Sequence, residues 1–496
     1  MRLSSLLADS HIPCKLPQDL EISLITQNSK NASSDALFVC ITGFQTDGHR
    51  FAQDAYRRGC RCFLAEKPLD VGADAIVVEV ESTKSALGHL ACAFYGHPSR
   101  RLSVIGITGT KGKTTTALLL QKMLHDNGVA CGYIGTNGVL LGEQSRPLSN
   151  TTPDAITLQK TLAEMADAGC RAVVLEVSSQ ALMLERVSGM HFEFTAFTNL
   201  YPDHIGPGEH ESLSHYFACK KKLFSDFESK AIFYNADDSN ASKMIEGKGD
   251  RAVSVSTERE ADFHASSVSF CKDLGALYVE FTLSQSRRAH NCRLPFVGKE
   301  NAFNAVMATA IANKGFGISL AKCVKSMENA RISGRSEIFP MSCGALTVID
   351  YAHNGESLSR LLSSRRLYSP KRLICLFGSV GERTKMRREE LSTVALRLAD
   401  FSILTSDNPG TEPPELILED LAKPFANQKD RFVAISDRKQ AIEYAVQMLQ
   451  EGDVLVLAGK GHERYQLVGS EKIPFSEREI LLTADKSCNT KTVCNP

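Results

Sequence analysis

LSVIGITGTKGKTTT, the stretch from Leu102 to Thr116, is the part of the sequence that decides the fold. Its first seven residues are mostly apolar and predict a buried β-strand. A glycine-rich turn follows, and after the turn the residues follow a helical pattern that ends at Gly128. Glycines between a strand and a helix let backbone N–H groups approach a phosphate closely, and the helix N-terminus adds partial positive charge. The stretch therefore predicts a phosphate-binding loop on a parallel sheet.

The loop places Lys113 where it would reach the β- and γ-phosphates, and Thr114 or Thr115 where a hydroxyl would ligate Mg²⁺. The strict P-loop spacing requires glycine at 107, where this chain has Ile107. A tight turn without a ligand would also join a strand to a helix, but the GKTT run favours phosphate binding. We expect ATP to contact Gly109, Thr110, Lys111, Gly112, Lys113, Thr114 and Thr115.

Strand-like and helical runs alternate along most of the chain, which favours parallel sheets covered by helices on both faces. Turn residues at 95–101 indicate a linker, and a second strand–helix rhythm begins near 331. Short runs with near period-2 alternation at 251–297 predict an antiparallel appendage on the central domain. The sequence therefore predicts an α/β protein with three domains, at residues 1–98, 99–330 and 331–496.

The composition excludes several classes of protein. The 496 residues include 57 basic and 57 acidic side chains, and this balance argues against a bulk basic surface for nucleic acid or anionic lipid. No run of 18 apolar residues and no signal-peptide pattern is present, so we expect a cytoplasmic enzyme without membrane insertion. The 15 cysteines form no C-x-x-C pair, which argues against a zinc knuckle and for a reducing compartment.

Short motifs spread from about residue 24 to residue 484 resemble those of the Mur ligase family. In chain order they are Asp47-Gly48-His49, GTKGKTTT, NTTP, EVSSQAL, TNLYPDH, GKENAFNA, SGR, DYAH, GERTKMRR, SDNPG and GKGHE. The resemblance implies an N-terminal α/β domain that binds a UDP-sugar. It also implies a central doubly wound P-loop ATPase domain and a Rossmann-like C-terminal domain that binds an amino acid.

The resemblance also implies an activity. The chain would add the third amino acid, a diamino acid, to UDP-N-acetylmuramoyl-L-alanyl-D-glutamate during peptidoglycan synthesis. ATP would phosphorylate the substrate carboxylate, an amine would attack the acyl phosphate, and phosphate would leave as the amide forms. We expect a monomer that uses ATP and Mg²⁺.

Two alternatives stay open at this point. One is a Mur-type ligase with another amine or acceptor, such as a folylpolyglutamate or cyanophycin-like synthetase. The other is a P-loop ATPase switch that binds a partner and forms no covalent product. The segment that resembles a UDP-binding domain argues against the folate ligase, and the basic and polar cluster of the C-terminal domain argues against the switch.

Carried over position by position, the resemblance makes Glu176 and His204 ligands of the magnesium ion bound with ATP. Both follow predicted strands, at the edge where an open α/β sheet presents ligands. Lys220 matches the lysine that the family carbamylates to N6-carboxylysine, which would help hold a second Mg²⁺. We expect the neighbouring cations Lys221 and Lys222 to lower the pKa of Lys220 and so favour the neutral amine that adds CO₂.

Further residues take roles from the same resemblance. The expected catalytic residues are Lys113, Lys220, His204 and Arg335. Asn301 and Asn304 would lie around the nucleotide, although helix capping also explains asparagines at the start of a helix. The residues expected to reach the phosphates from the C-terminal domain are Arg335, Asp350 and His353. The expected contacts of the UDP-sugar-peptide are Ser29, Asp47, Gly48, His49, Thr151, Thr152, Ser178 and Arg186.

The incoming amino acid would contact Arg388, Asp407, Asn408, Gly410, Gly459 and Glu463. Arg388 would hold its α-carboxylate, and Glu463 its distal ammonium. Relatives that add meso-diaminopimelate carry an arginine at the position of Gly410, and that arginine pairs with the second carboxylate of the amino acid. Glycine at this place favours a basic diamino acid such as L-lysine and leaves meso-diaminopimelate as the alternative.

Overall fold

The computed structural model describes residues 1–43, 46–203, 205–206, 209–273, 276–296, 298–382 and 385–493. The chain forms two compact units: unit 1 is Met1–His264 with Val306–Cys323, and unit 2 is Ala265–Ala305 with Val324–Pro496. Among the described residues, no helix combines the length and the apolar character that crossing a bilayer requires.

A small parallel sheet forms the first part of unit 1. Its elements are α1 (Leu3–Asp9), β1 (Leu24–Thr26), β2 (Ala36–Val39), α2 (Ala52–Arg57), β3 (Cys62–Ala65), β4 (Ile76–Glu79) and α3 (Thr83–Phe94). The four strands lie in the order β1-β2-β3-β4 and all pair in parallel. Alternate side chains of β2 enter different cores, Leu37 with Leu90 of α3 and Phe38 with Ala55 of α2, so both faces of the sheet are covered.

A larger sheet follows in unit 1. Its elements are α4 (Pro98–Arg101), β5 (Ser103–Thr108), α5 (Lys113–Asp126), β6 (Cys131–Gly135), β7 (Gly138–Leu141), β8 (Gln144–Arg146), α6 (Ala155–Asp167), β9 (Ala172–Glu176), α7 (Ser179–Met183), β10 (Phe194–Phe197), α8 (Leu213–Ser225), β11 (Ala231–Asn235), α9 (Ala241–Met244) and β12 (Ala252–Ser256). These strands lie in the order β12-β11-β10-β5-β9-β6-β7-β8, and the sheet continues from β12 into the next strand of the chain, which pairs with it in parallel. The first six strands are parallel, and β7 and β8 add an antiparallel edge. The carboxyl ends of β5, β9 and β10 therefore meet at one edge, where ligands bind in open α/β sheets.

Side-chain caps determine where several helices of this sheet begin. Asp154 accepts hydrogen bonds from the amides of the first turn of α6, Ser178 caps α7, and Ser212 caps α8. Helix α5 differs, because it begins after Gly112, which carries no capping side chain. The N-terminus of α5 therefore lacks the usual side-chain cap, and helix N-termini favour anions through their N–H groups and dipole.

Unit 2 contains a third sheet. In chain order the elements of the rest of the protein are β13 (Phe263–Asp273), β14 (Ala276–Gln285), β15 (Arg288–Leu294), α10 (Lys299–Phe316), α11 (Leu320–Glu328), β16 (Glu337–Pro340), β17 (Leu346–Asp350), α12 (Gly355–Arg366), β18 (Leu373–Phe377), α13 (Lys385–Leu398), β19 (Phe401–Leu404), α14 (Pro414–Ala422), β20 (Phe432–Ala434), α15 (Arg438–Gln447), β21 (Val454–Ala458), β22 (Tyr465–Val468), β23 (Glu471–Pro474) and α16 (Glu477–Val493). The sheet order is β16-β17-β21-β18-β19-β20, parallel except at β16. Strands β14 and β15 pair antiparallel, and so do β22 and β23.

The structure confirms the predicted α/β fold and differs in particular elements. The run AVSVS, predicted as part of the antiparallel appendage, is β12 and pairs in parallel with β11, because the chain crosses back through α9 before entering it. The predicted linker contains the short helix α4, which has Pro98 in its first turn, a favoured position for proline. The antiparallel pair β14–β15 lies in unit 2. The three-domain division stays a prediction.

A buried ion pair ties α15 to α16 in unit 2. The guanidinium of Arg438 donates to Glu477 Oε1 from both Nε (2.9 Å) and Nη2 (2.7 Å). It also donates to the carbonyl of Ser406 after β19 (3.1 Å) and to that of Ala458 at the end of β21 (2.9 Å). Both side chains are almost fully buried, and burial raises the pKa of Glu477. The pair therefore holds the ends of β19 and β21 together, at the sheet edge that carries the residues expected to bind the incoming amino acid.

We predict that Arg438→Met destabilises unit 2 by about 3–5 kcal/mol, because it leaves the buried Glu477 carboxylate without the cation that it hydrogen-bonds. Thermal unfolding should show a clear drop in Tm. The control is Arg478→Met, since Arg478 pairs with Glu337 at the surface and exposes 58% of its side chain. The double variant Arg438→Met/Glu477→Leu should recover part of the loss. Equal Tm values for the Arg438 and Arg478 variants would contradict the prediction.

Candidate active site

The loop between β5 and α5 depends on two glycines. Gly109 has φ +147°, and a Cβ atom there would lie 1.9 Å from Thr198 Oγ1. Gly112 has φ +84°, in the left-handed region. Any larger residue at either position would move the loop, so its backbone is shaped for close approach to a ligand.

Residues at the end of β10 hold this loop from the other side. The amide of Lys111 donates to Asn199 Oδ1 (2.8 Å), and the hydroxyl of Thr198 donates to the carbonyl of Lys111 (2.7 Å). The ammonium of Lys111 pairs with Asp203 at 3.0 Å. Lys111 is thus engaged with the protein. The ammonium of Lys113 instead lies over the loop, where it donates to the carbonyls of Gly109 (2.8 Å) and Thr110 (3.1 Å).

Glu176, the last residue of β9, is fully buried, and its carboxylate accepts four hydrogen bonds. The donors are Thr114 Oγ1 (3.0 Å), Tyr133 Oη (2.5 Å), the Thr136 amide (3.0 Å) and Thr136 Oγ1 (3.2 Å). The structure therefore brings together two of the three described residues that were predicted to ligate magnesium, Thr114 and Glu176. Tyr133 and Thr136, which orient the carboxylate, were missed, because nothing in their local sequence links them to position 176.

Lys220, on α8, is the least expected member of this group, since its side chain is buried at 1% exposure. Its ammonium donates to the carbonyl of Gly109 (2.9 Å) and lies 4.4 Å from the ring centroid of Tyr216. The pKa of Lys220 lies well below its ordinary value, chiefly because burial penalises the ammonium and then because Lys113 repels it. The site thus supplies an amine that loses its proton easily.

The expected cause of this pKa shift was wrong. Lys221 pairs with Glu246 at 2.8 Å, and Lys222 lies 3.9 Å from Glu185, so both neighbours are engaged elsewhere. The cation that acts on Lys220 is Lys113, which is distant in sequence and near only in the fold.

Four of the expected sugar-peptide residues form a network beside Glu176. Thr152 donates to the carbonyl of Glu176 (2.8 Å) and accepts from the amide of Ser178 (3.0 Å). Arg186 donates to the carbonyl of Thr152 (2.8 Å), and the hydroxyl of Thr151 lies 3.2 Å from that of Thr136. This network joins the predicted acceptor residues directly to the predicted metal ligand.

The other expected sugar contacts lie in the small sheet. Asp47 accepts from the His49 amide (3.0 Å) and lies 2.6 Å from its Nδ1, while His49 Nε2 accepts from the Glu66 amide (3.0 Å). Lys67 and His49 hold the pKa of Asp47 well below its usual range. A Cβ on Gly48 would lie 2.7 Å from the amide nitrogen of Ile41, so only glycine fits there. Ser29, the first residue of a 3₁₀ turn, is also buried.

Unit 2 contains the remaining expected nucleotide residues. Asp350, the last residue of β17, accepts from the amides of Ser336 (2.8 Å) and Ala352 (2.9 Å). Nδ1 of His353 lies 2.9 Å from the carbonyl of Tyr351, and Cζ of Arg335 lies 5.1 Å from the Tyr351 ring centroid.

The two expected asparagines lie in the first turn and a half of α10. The amide nitrogen Nδ2 of Asn304 donates to Oδ1 of Asn301 (3.1 Å), and both side chains are largely buried. Their predicted position at the start of a helix is therefore confirmed, and their contact with a nucleotide stays a prediction.

A buried lysine donates hydrogen bonds to three of the residues that were expected to bind the incoming amino acid, at the carboxyl ends of β19 and β21. The ammonium of Lys460 donates to Asn408 Oδ1 (2.9 Å), Glu463 Oε2 (3.1 Å) and Asp407 Oδ1 (3.4 Å). Asn408 Nδ2 also donates to Glu463 (2.9 Å). Gly459 precedes this lysine with φ +116°, and a Cβ there would lie 2.8 Å from Asp407 Oδ2. Lys460 belongs to the GKGHE motif, but no role was expected for it from the sequence.

Arg388, expected to hold a substrate carboxylate, already has carboxylate partners. It pairs with Glu412 through both terminal nitrogens (2.8 and 2.7 Å) and with Asp420 (3.0 Å), and its side chain is almost fully buried. Gly410 has φ +60°, and a Cβ there would lie 3.5 Å from Glu382 Oε1. The position at which the resemblance to diaminopimelate-adding enzymes implied an arginine therefore carries glycine and faces an anion. His204 lies outside the described residues.

Comparisons with known proteins give a consistent result. The family model described as the Mur ligase family catalytic domain matches residues 21–95, the Mur ligase middle domain matches residues 107–312, and the Mur ligase glutamate ligase domain matches residues 334–461. Each match lies inside one of the three predicted domains.

Curated relatives align over almost the whole chain. A protein of Bacillus cereus named UDP-N-acetylmuramoyl-L-alanyl-D-glutamate–2,6-diaminopimelate ligase is 33% identical over 489 residues, which is 97% of each chain. A protein of Lactiplantibacillus plantarum with the same name is 34% identical over 473 residues, 94% of each chain. A solved structure of that name has a TM-score of 0.69 and 26% identity, and covers 99% of this chain and 100% of its own.

We predict that Lys113→Met raises the pKa of Lys220, because the variant removes the cation that repels its ammonium. Less neutral amine is then present at pH 7, so less of Lys220 should be carbamylated. The carbamate resonance after incubation with ¹³C-bicarbonate measures this fraction, and Lys220→Arg assigns the resonance. Lys222→Met is the matched control on the same helix and should leave the signal unchanged. An equal loss in both methionine variants would show that Lys113 does not control this amine.

Proposed function

The chain belongs to the Mur ligase family, and from this premise we propose that it adds a diamino acid to UDP-N-acetylmuramoyl-L-alanyl-D-glutamate with ATP as the energy source. The observation that carries the proposal is the convergence of Lys113, Lys220 and Glu176 around the loop after β5. A nucleoside triphosphate requires backbone N–H groups and cations around its phosphates, and its metal ion requires a carboxylate. The glycine-rich loop, the two ammonium groups and the buried carboxylate are groups of these kinds.

The loop residues would bind and orient the phosphates. Gly109 and Gly112 shape the backbone, and the uncapped start of α5 supplies N–H groups and positive charge. Lys113 is 2.8 Å from the carbonyl of Gly109, so it would leave this weak acceptor for phosphate oxygens that carry full charge. Phosphoryl transfer depends on such positioning and charge neutralisation more than on covalent help from the protein.

The oxygen atoms of Thr114 and Glu176 fit a magnesium ion. They lie 3.0 Å apart, and hydroxyl and carboxylate oxygens are the hard ligands that Mg²⁺ prefers. Thr114 Oγ1 and Glu176 Oε2 would therefore hold the ion. When bound, Mg²⁺ would neutralise charge on the β- and γ-phosphate oxygens.

Lys220 would act as a carbamate. Loss of one proton from its ammonium gives the neutral amine, which attacks the carbon of CO₂. An N–C bond forms and a second proton leaves to solvent, so that an anion replaces a cation. Lys113 stands beside it and would then attract the group that it repels in the ammonium form. This exchange of charge supports carbamylation.

The acceptor proposal is supported by the relatives and by the network around Thr152. The relatives' name contains the acceptor, a UDP-linked muramoyl dipeptide. In this chain Thr152 is fully buried, and Arg186 is fixed on its carbonyl at 2.8 Å, close to Glu176. A carboxylate of the acceptor placed there would be next to the phosphate loop. ATP would phosphorylate that carboxylate, and the incoming amine would displace phosphate to form the amide.

We propose meso-diaminopimelate as the amino acid added, in agreement with the name of the relatives. L-lysine is the second candidate, and one observation favours it: the position of Gly410 faces Glu382 and offers no cation for a second carboxylate. Near this position one cation, Lys460, faces two carboxylates, those of Asp407 and Glu463. The excess negative charge suits the distal ammonium that both amino acids carry.

We expect Lys113→Ala to lower the rate of ADP formation about 10²- to 10³-fold. In a closed site, one phosphate-binding cation stabilises the transition state by several kcal/mol. The release of ADP in the presence of all substrates measures this. Lys122→Ala, on the same helix, is the control, since Lys122 pairs only with Asp126 among the ion pairs of the described residues. Near-normal turnover by Lys113→Ala would remove the loop from the reaction.

A direct competition decides between the two amino acids. With meso-diaminopimelate and L-lysine at equal concentration, we expect a product ratio of more than ten to one for meso-diaminopimelate, a difference of about 1.4 kcal/mol. The ratio is read from product masses. A preference for L-lysine would replace the first candidate by the second, and Glu382→Gln should then reduce lysine use in particular.

A further inference from the structure

His210, His215 and Cys219 form a cluster outside the residues assigned above. Their donor atoms all lie within 4.8 Å of one another. His215 and Cys219 are four residues apart on α8, so their side chains lie on one face of the helix, and His210 precedes the helix. The rings of His210 and His215 are 5.2 Å apart between centroids and nearly perpendicular, at 79°. Within the described part of the chain, this is the one group of three such residues close enough to hold a metal ion.

The chemistry of the cluster differs from that of the phosphate site. Two imidazoles and a thiolate are borderline and soft ligands, which select Zn²⁺ over Mg²⁺. Tetrahedral zinc with Zn–N near 2.1 Å and Zn–S near 2.3 Å places its ligand atoms about 3.3–3.6 Å apart. The side chains must therefore close by about 1 Å, which small side-chain rotations supply. Three protein ligands leave one position of the ion for water or another small ligand.

The surroundings of the cluster suit a metal site. Nε2 of His210 lies 2.9 Å from Ser179 Oγ, and a hydrogen bond at one ring nitrogen fixes the orientation of a metal-binding histidine. His210 and Cys219 are buried, which excludes competing water, while His215 is partly exposed and leaves an entry path. The Glu211 amide donates to His215 Nδ1 over 3.4 Å, a long hydrogen bond that a metal–nitrogen bond would outweigh.

We propose that His210, His215 and Cys219 form a binding site for a zinc-class divalent ion. Binding of this ion does not require the proposed ligase reaction. It would connect the segment before α8 to the helix itself, and through Ser179 it would contact the first residue of α7.

A filled site would restrain the helix that contacts the phosphate loop. Tyr216 of α8 donates to Thr110 Oγ1 (3.2 Å), and Lys220 donates to Gly109 (2.9 Å). Both residues are within one turn of His215 or Cys219. Bound metal would therefore restrict the motion of α8 and, through Tyr216 and Lys220, the motion of the phosphate loop.

Cobalt(II) is the probe that tests the proposal. A thiolate bound to Co²⁺ gives a charge-transfer band in the near ultraviolet, and tetrahedral Co²⁺ gives visible bands. We expect purified, metal-free protein to show both bands with one equivalent of Co²⁺, and Zn²⁺ to displace them. Cys219→Ser should lose the charge-transfer band, and His215→Ala should weaken binding at least tenfold.

Cys343→Ser is the matched control, because Cys343 is an exposed thiol in another part of the chain. It should keep the band. A band that survives in Cys219→Ser, or that is lost equally in Cys343→Ser, would overturn the proposal, and so would the absence of any band in the unaltered protein. Circular dichroism of each variant shows that a lost band is not a lost fold, and His215→Ala keeps the test decisive if Cys219→Ser does not fold.

Discussion

Two ammonium groups converge on one carbonyl oxygen, that of Gly109, and the rest of the site depends on this arrangement. Lys113 and Lys220 each donate to it, at 2.8 and 2.9 Å. Burial, together with repulsion between two ammonium groups so close, keeps the pKa of Lys220 well below its ordinary value. A neutral carbonyl balances little of the positive charge that remains. Binding of an anion between the two lysines, or conversion of Lys220 to an anion, would offset that charge, and the proposed phosphate binding and carbamylation are these two changes.

The carboxylate on the other side of the loop is fixed before any ligand arrives. Glu176 is bonded to Thr114, Tyr133 and Thr136, which come from α5, β6 and the turn after β6. Because three separate parts of the sheet edge hold it, its oxygens do not need to reorganise when charge is transferred nearby. Rigid support from strand ends explains why the acid lies at the last position of β9.

The predictable parts of this protein are those that local sequence encodes. The apolar run before Gly109 and the GKTT run after it define β5, the loop and α5 without any other information. The role of Lys113 beside Lys220 was not predictable from neighbouring residues, because only the fold brings α8 under the loop. The parallel pairing of β12 was also not predictable, because a five-residue run with alternating polarity is compatible with both parallel and antiparallel pairing. Lys460 was overlooked because a lysine between two glycines resembles a solvent-exposed turn, whereas the structure buries it completely.

Thr152 has a consequence beyond its own hydrogen bonds. One hydroxyl donates to the carbonyl of Glu176 and accepts from the amide of Ser178, so the proposed nucleotide side and acceptor side would share a single atom. A displacement on one side would then reach the other through this atom. Thermodynamic linkage makes such transmission reciprocal: if the nucleotide tightens acceptor binding, the acceptor tightens nucleotide binding by the same factor. The order in which the two substrates arrive is then a matter of kinetics and leaves the energy of the filled complex unchanged.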